Sequence, residues 1–359
     1  MTIPAAMRAV VCHGPGDYRL AELPTPTPGP GEILLRVEAC GICAGDAKCC
    51  GGAPMFWGDG RRPAYVETPV IPGHEFAGVV AAMGEGARAL HGVDVGDRVV
   101  SEQIVPCREC RFCLRGQYWM CQRNTIYGFK QLAQGGMADY MILPARSITH
   151  PIPDGVSARQ AAVIEPLACA MHAVQRSEVE VGDVMVIAGA GPLGLLMIAA
   201  ARLRSPGLLV AVDINDDRLA MAQRMGADLT LNPAREDAVA RVLELTEGYG
   251  CDRYIEATGH PDGVEQGLQM IRRLGTFVEF SVFGQPTTVD WTTVGDGKEL
   301  NIHGSHLGPW CYAPAIDCVL RGRIDVAPVI SHVLPLERFA EGFGLVADGR
   351  DSIKVLLEP

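Results

Sequence analysis

Basic residues are in the minority in this sequence: 31 Lys and Arg stand against 42 Asp and Glu, a formal net charge of −11. A chain of that sign does not condense on phosphate backbones or anionic lipid, so nucleic acid and membrane surfaces are excluded as partners. The opening "MTIPAAMRAVV" lacks a basic start followed by a long apolar run, and no export signal is expected. Without one, the thirteen cysteines read as reduced thiols in a cytoplasmic protein, some of them metal ligands, and not as a disulfide framework. Internal repeats and low-complexity tracts are missing as well. A single stretch, Val184 to Ala201, runs eighteen residues without a charge. That is near the lower limit for a membrane span, but three glycines and a proline at its centre argue against one.

What is present suits a globular protein of two domains: 359 residues, 48% hydrophobic and 20% charged. From about residue 7 to 150, Gly and Pro separate short β-rich runs such as "GEILLRVEA" and "FAGVVAAMG", which predicts an irregular, mostly β domain. From about 155 the texture changes to strands alternating with helices of ten or more residues. "DVMVIAGAG", "LLVAVD", "ADLTL", "DRYIEATG" and "GTFVEFSVF" read as strands, and "GVEQGLQMIRRL" is one of the helices between them. That alternation predicts a doubly wound parallel sheet. It fades near residue 300, and the closing strand "SIKVLLEP" is expected to return to the first domain. The expected boundaries are 1–155, 156–298 and 299–359, with a small lobe at about 102–125.

The uncharged run contains Gly189, Gly191 and Gly194 as G-x-G-x-x-G between a strand and a helix opened by Pro192 and Leu193. Such glycines allow the tight turn and the approach of a pyrophosphate to the positive end of the helix. Asp213, nineteen residues past the last glycine, closes the next strand. A carboxylate there accepts from the adenosine ribose hydroxyls and repels a 2′-phosphate, which favours NAD over NADP. The competing expectation makes Asp213 the N-cap of the following helix. Arg218, on that helix, is a further cofactor candidate.

Cys107, Cys110, Cys113 and Cys121 are spaced C-x2-C-x2-C-x7-C. Four thiolates in a reducing compartment make a closed tetrahedral site, which leaves no vacant position for a substrate and so predicts a structural zinc. An iron–sulfur cluster also takes four thiolates, at other usual spacings.

The motifs "GICAGD", "PGHEFAG", the cysteine quartet, "EPLACAMHA" and "GAGPLG" together resemble the zinc-dependent medium-chain dehydrogenases, from about Met7 to Pro359. The polyol branch, sorbitol dehydrogenase and its bacterial relatives, is the nearer likeness. Glu165 stands where alcohol dehydrogenases usually have cysteine. "FWGDGRRPAYVETPVIPGHE" is most similar to the members acting on erythritol or L-threitol. The resemblance implies a GroES-like catalytic domain beside the Rossmann domain, one catalytic and one structural zinc per subunit, and NAD. It also implies a small polyol substrate and a homo-oligomer, dimer or tetramer. It makes Cys43, His74 and Glu165 ligands of the catalytic zinc, with Glu75 able to exchange onto the metal. Asp46 becomes a carboxylate orienting the ligand histidine. Lys354 matches a basic position near the cofactor pyrophosphate, against which stands the expectation of a solvated surface lysine. Cys40, Cys49 and Cys50 match no ligand position.

One departure stands out. Two residues past Cys43 the family normally places Ser or Thr, whose hydroxyl passes on the substrate proton; here the residue is Gly45. Either water takes over that relay, or turnover is weak, or the protein binds cofactor without turning substrate over. An amino alcohol or hydroxy acid such as threonine is the alternative substrate class. Phe56, Trp57, Tyr65 and Tyr127 are candidate pocket or core aromatics. His172, seven residues after Glu165, reads as a packing histidine, and His303 and His306 carry no usable ligand spacing.

Overall fold

A computed structural model describes residues 2–359. The chain divides into two compact units: one runs to Glu165 and resumes at Tyr312–Pro359, the other is Pro166–Cys311. Among the described residues no helix is long and apolar enough to cross a membrane.

The first unit is built on a mixed sheet whose central strand is Ile33–Ile42, flanked by Glu75–Met83 on one side and by Tyr140–Leu143 and Lys354–Glu358 on the other. Ile330–Pro335 extends the sheet in parallel beyond Lys354–Glu358. The C-terminal strand thus belongs to this sheet. Its core contains Ile33, Leu35, Phe76, Tyr127, Leu143, Val355 and Leu357, all buried. Each such side chain contributes about 1.5–3 kcal/mol of hydrophobic stabilisation when taken from water.

The second unit is a six-stranded, all-parallel sheet in the order Leu229–Leu231, Leu208–Val212, Val184–Ala188, Cys251–Glu256, Ile271–Glu279, Asn301–Gly304. Its inner strands "VMVIA" and "LLVAV" are buried at every residue but the first, which is why they read as continuous apolar runs without alternation.

Two expectations differ from the structure. The periodicity extends the helix after Gly259 to Leu274, yet it ends at Met270 and the strand begins at Ile271. Gly250 sits at positive φ against Met270 O and Arg272 N, so the chain must turn there at close quarters. The unit boundaries also shift, from 155 to Glu165 and from 298 to Cys311. Residues 299–311 supply the sixth strand, Asn301–Gly304, which is too short and too exposed to show a pattern.

Candidate metal and cofactor sites

The end of the central strand brings the first site together. Gly41 is paired with Glu75, and Ile42 with Val355, so Cys43, His74, Glu75 and Lys354 converge where three strands terminate. Ligand atoms of Cys43, His74 and Glu75 lie within 4.8 Å of one another. Gly41 makes room for this: a Cβ there would sit 2.1 Å from Glu75 Oε2. Nothing in the pattern of apolar residues marks Gly41, although a glycine inside a strand is the usual sign of a close approach.

Cys43 is also the N-cap of the helix Ala44–Cys50. The Gly45 N–H points at its Sγ at 3.4 Å, and its own N–H donates to Asp46 Oδ2 at 2.9 Å. The other Asp46 oxygen, Oδ1, lies 3.6 Å from His74 Nδ1. Asp46 therefore both closes the capping box and faces the imidazole, which leaves the other ring nitrogen for a metal. Burial opposes charge on His74, but Asp46 and the Cys43 sulfur outweigh it and hold the imidazole well above its usual pKa. His74 Nδ1 and Asp46 Oδ1 are buried without a hydrogen-bond partner. A thiol, an imidazole and a carboxylate with ligand atoms this close together fit a zinc ion with an exchangeable position.

Glu165 stands outside that cluster. It is buried in the first turn of the helix Ile164–Arg176, where its Oε1 accepts from Gln103 Nε2. Its charge is still felt at His74 and at Lys354. Lys354 meets Glu75 instead of solvent. Only 2% exposed, it is no surface lysine, and its ammonium is occupied by Glu75 Oε1 and Oε2 at 2.7 Å each and by Ile42 O at 3.5 Å.

Phe129, which the sequence does not single out, walls the site: its ring centroid is 5.6 Å from that of His74 and 5.2 Å from that of Phe56, with Tyr65 at 5.9 Å. Tyr127 belongs to the core, and Trp57 donates to Cys49 O. His172 falls in the other unit, where burial first and then Arg176 push its pKa down to about 4.

In the second site, ligand atoms of Cys107, Cys110, Cys113 and Cys121 also lie within 4.8 Å of one another. Backbone N–H groups already point at the sulfurs: Cys107 N is 3.3 Å from Cys121 Sγ, and Cys110 N is 3.3 Å from Cys107 Sγ. Such donors favour thiolate, and those from the Cys113 and Gln122 backbone bring Cys110 down to about 6. The quartet fits a closed tetrahedral zinc.

The glycine motif lies in the parallel-sheet unit. Gly189 follows Val184–Ala188 at φ +99°, and the helix Pro192–Arg202 starts after Gly191. Leu193 is half-buried in the first turn, and Gly194 packs on the Gly189 carbonyl. Asp213 is not the helix cap; Asn215 is. Asp213 Oδ2 accepts from Ala190 N at 2.7 Å and Oδ1 from Asn215 N at 2.8 Å, which ties the end of Leu208–Val212 to the glycine turn. Arg218 Nη1 lies 3.9 Å from the position a Cβ would take at Gly191, so a cation borders the same turn.

Two family descriptions match the chain: the alcohol dehydrogenase GroES-like domain over residues 29–154 and the zinc-binding dehydrogenase over residues 192–321. The chain belongs to the zinc-binding alcohol dehydrogenases. It is 51% identical to an erythritol/L-threitol dehydrogenase of Mycolicibacterium smegmatis over 99% of each chain. To a sorbitol dehydrogenase of Halalkalibacterium halodurans it is 32% identical over 97% of each. Among solved structures, a zinc-binding dehydrogenase of Sinorhizobium meliloti bound to NADP superposes with a TM-score of 0.88 at 27% identity, covering 99% of this chain and 100% of that one. The dehydrogenase is thus an oxidoreductase with GroES-like and Rossmann-like units.

Proposed function

We propose that this dehydrogenase oxidises a secondary hydroxyl of a small polyol, a tetritol such as erythritol or L-threitol, to the ketose, with NAD as hydride acceptor. The likeness along the whole chain to the erythritol/L-threitol enzyme carries the choice of substrate. Cys43, His74 and Glu165 would hold the catalytic zinc, with Glu75 as the exchanging carboxylate, and the four-cysteine lobe would hold a structural one. The metal would supply Lewis acidity that makes the substrate hydroxyl easier to deprotonate, and the nicotinamide would accept the hydride. Asp46 orients His74, and the Phe56 and Phe129 rings bound the metal site with apolar surface. Gly189, Gly191 and Gly194 receive the pyrophosphate at the start of the helix Pro192–Arg202. The Asp213 charge disfavours a 2′-phosphate, which supports NAD even with Arg218 nearby. A cytoplasmic homo-oligomer completes this reading.

The deciding assay follows NADH formation by zinc-loaded protein with erythritol, both threitols, xylitol, sorbitol and threonine, with NADP as control. Selective turnover of a four-carbon polyol with NAD is expected; preference for threonine or for NADP would replace the reading.

Gly45 bears on the proton's route. A Cβ there would lie 3.7 Å from Cys43 Sγ and 3.9 Å from Phe56 Cζ, ordinary contacts, so a side chain can begin there without displacing either. Water in that space takes the relay role of the missing hydroxyl. Gly45→Ser should therefore leave zinc content unchanged and alter kcat by less than tenfold, about 1.4 kcal/mol. A gain of several orders of magnitude would show that the glycine disables the enzyme.

A further inference from the structure

The two carboxylates of the catalytic site are held in different ways. Glu75 is paired with an ammonium, so its charge is cancelled where it stands. Glu165 accepts from the Gln103 amide, a neutral donor that fixes an oxygen without cancelling the charge. We infer that Gln103 is a positioning residue that presents Glu165 to the catalytic metal, and that the four-cysteine lobe in turn holds Gln103 in place. The inference rests on the reading of Glu165 as a ligand.

The connection to the lobe runs through buried groups. The Gln103 N–H donates to Tyr312 Oη at 3.2 Å, and its carbonyl accepts from Tyr127 N at 3.1 Å. Tyr312 stacks on His150 with centroids 5.3 Å apart and planes 14° from parallel. His150 Nε2 lies 3.3 Å from Oε1 of Glu102, the residue before Gln103, and Tyr118 Oη donates to that same oxygen at 3.1 Å. Tyr118 opens the short turn Tyr118–Met120, and its carbonyl accepts from the N–H of Cys121, the last of the four thiols. Glu102 and Gln103 are 4% and 7% exposed, so neither side chain can turn away to water at low cost. An ordered quartet fixes Tyr118 and Glu102, and through them the backbone from which the Gln103 amide reaches Glu165.

Removing an outer hydrogen-bond partner of a metal ligand commonly lowers metal affinity by about 10–100-fold. Gln103→Met keeps the length of the side chain and removes the donor. In the full-length protein it should weaken catalytic-site metal affinity, measured by chelator competition, by about tenfold or more. It should also shift the d–d bands of the cobalt-substituted site and lower kcat, while the KM for the dinucleotide stays unchanged. If Gln103→Met does not fold, Gln103→Asn, one methylene too short to reach, should give the same loss. Glu165→Ala and the double variant complete the cycle, and the double variant should be no worse than Glu165→Ala alone. Loss in Glu165→Ala with unchanged affinity and spectrum in the Gln103 variants would overturn the role of Gln103 alone, as would additive losses. Unchanged affinity in Glu165→Ala would remove Glu165 from the ligand set, and this inference with it.

Discussion

Lys354→Met should destabilise the catalytic unit by about 3–5 kcal/mol, the usual cost of stranding one charge of a buried ion pair. The Lys354 and Glu75 side chains are 2% and 1% exposed, and both Glu75 oxygens bond the ammonium. Burial alone would drive Lys354 to give up its proton, but the Glu75 charge outweighs that and holds its pKa above the usual value. The pair also closes the sheet: Glu75 opens one flanking strand and Lys354 the other, on either side of Ile33–Ile42. Out of a total stability of roughly 5–15 kcal/mol the loss would be large. Urea denaturation of the zinc-loaded protein measures it. Lys354→Met combined with Glu75→Gln should recover most of it, because no uncompensated charge then remains buried. A single-variant effect below about 1 kcal/mol would mean that water reaches the pair, as at an exposed salt bridge.

The glycine turn should separate folding from cofactor binding. A Cβ at Gly194 would lie 1.7 Å from the Gly189 carbonyl oxygen, inside the backbone of the turn. No side chain can yield there, so Gly194→Ala should cost about 3 kcal/mol or more, the upper range for overpacking, and abolish dinucleotide binding. Gly191 is different. Its φ of −68° and ψ of −175° suit alanine, and beyond its chain neighbours the only heavy atom of the described residues within 4 Å of the added Cβ is Arg218 Nη1 at 3.9 Å. Gly191→Ala should keep its melting temperature and lose dinucleotide affinity on the order of 10–100-fold, roughly 1.4–2.7 kcal/mol, because its Cβ blocks the pyrophosphate's approach. NADH fluorescence titration beside thermal melting reads both quantities. Equal affinity in Gly191→Ala and the parent would show that the dinucleotide does not lie over this turn.

Local order along the chain determined much of this protein. The strand, glycine turn and helix from Val184 to Arg202 are consecutive residues, and so are the thiols between Cys107 and Cys121. In both cases short loops leave few ways to arrange the groups. The parallel sheet was legible for the same reason, since strands covered on both faces spell continuous apolar runs. The edge strand Asn301–Gly304 was not, because an exposed four-residue strand carries no such run.

The tertiary structure decided the partners. That Lys354 faces Glu75, 279 residues away, depends on the last strand pairing with Ile33–Ile42, and no spacing rule reaches that far. That Gln103 meets Glu165, 62 residues later, depends on how a loop before the cysteine lobe packs against the first turn of a helix. Likeness to a family could name Cys43, His74 and Glu165 together, but only the packed chain shows that Cys43, His74 and Glu75 lie close while Glu165 is bound by the Gln103 amide. Motifs encode what neighbouring residues can do along the backbone; the charge balance of a buried site is set by whichever distant strands and helices enclose it.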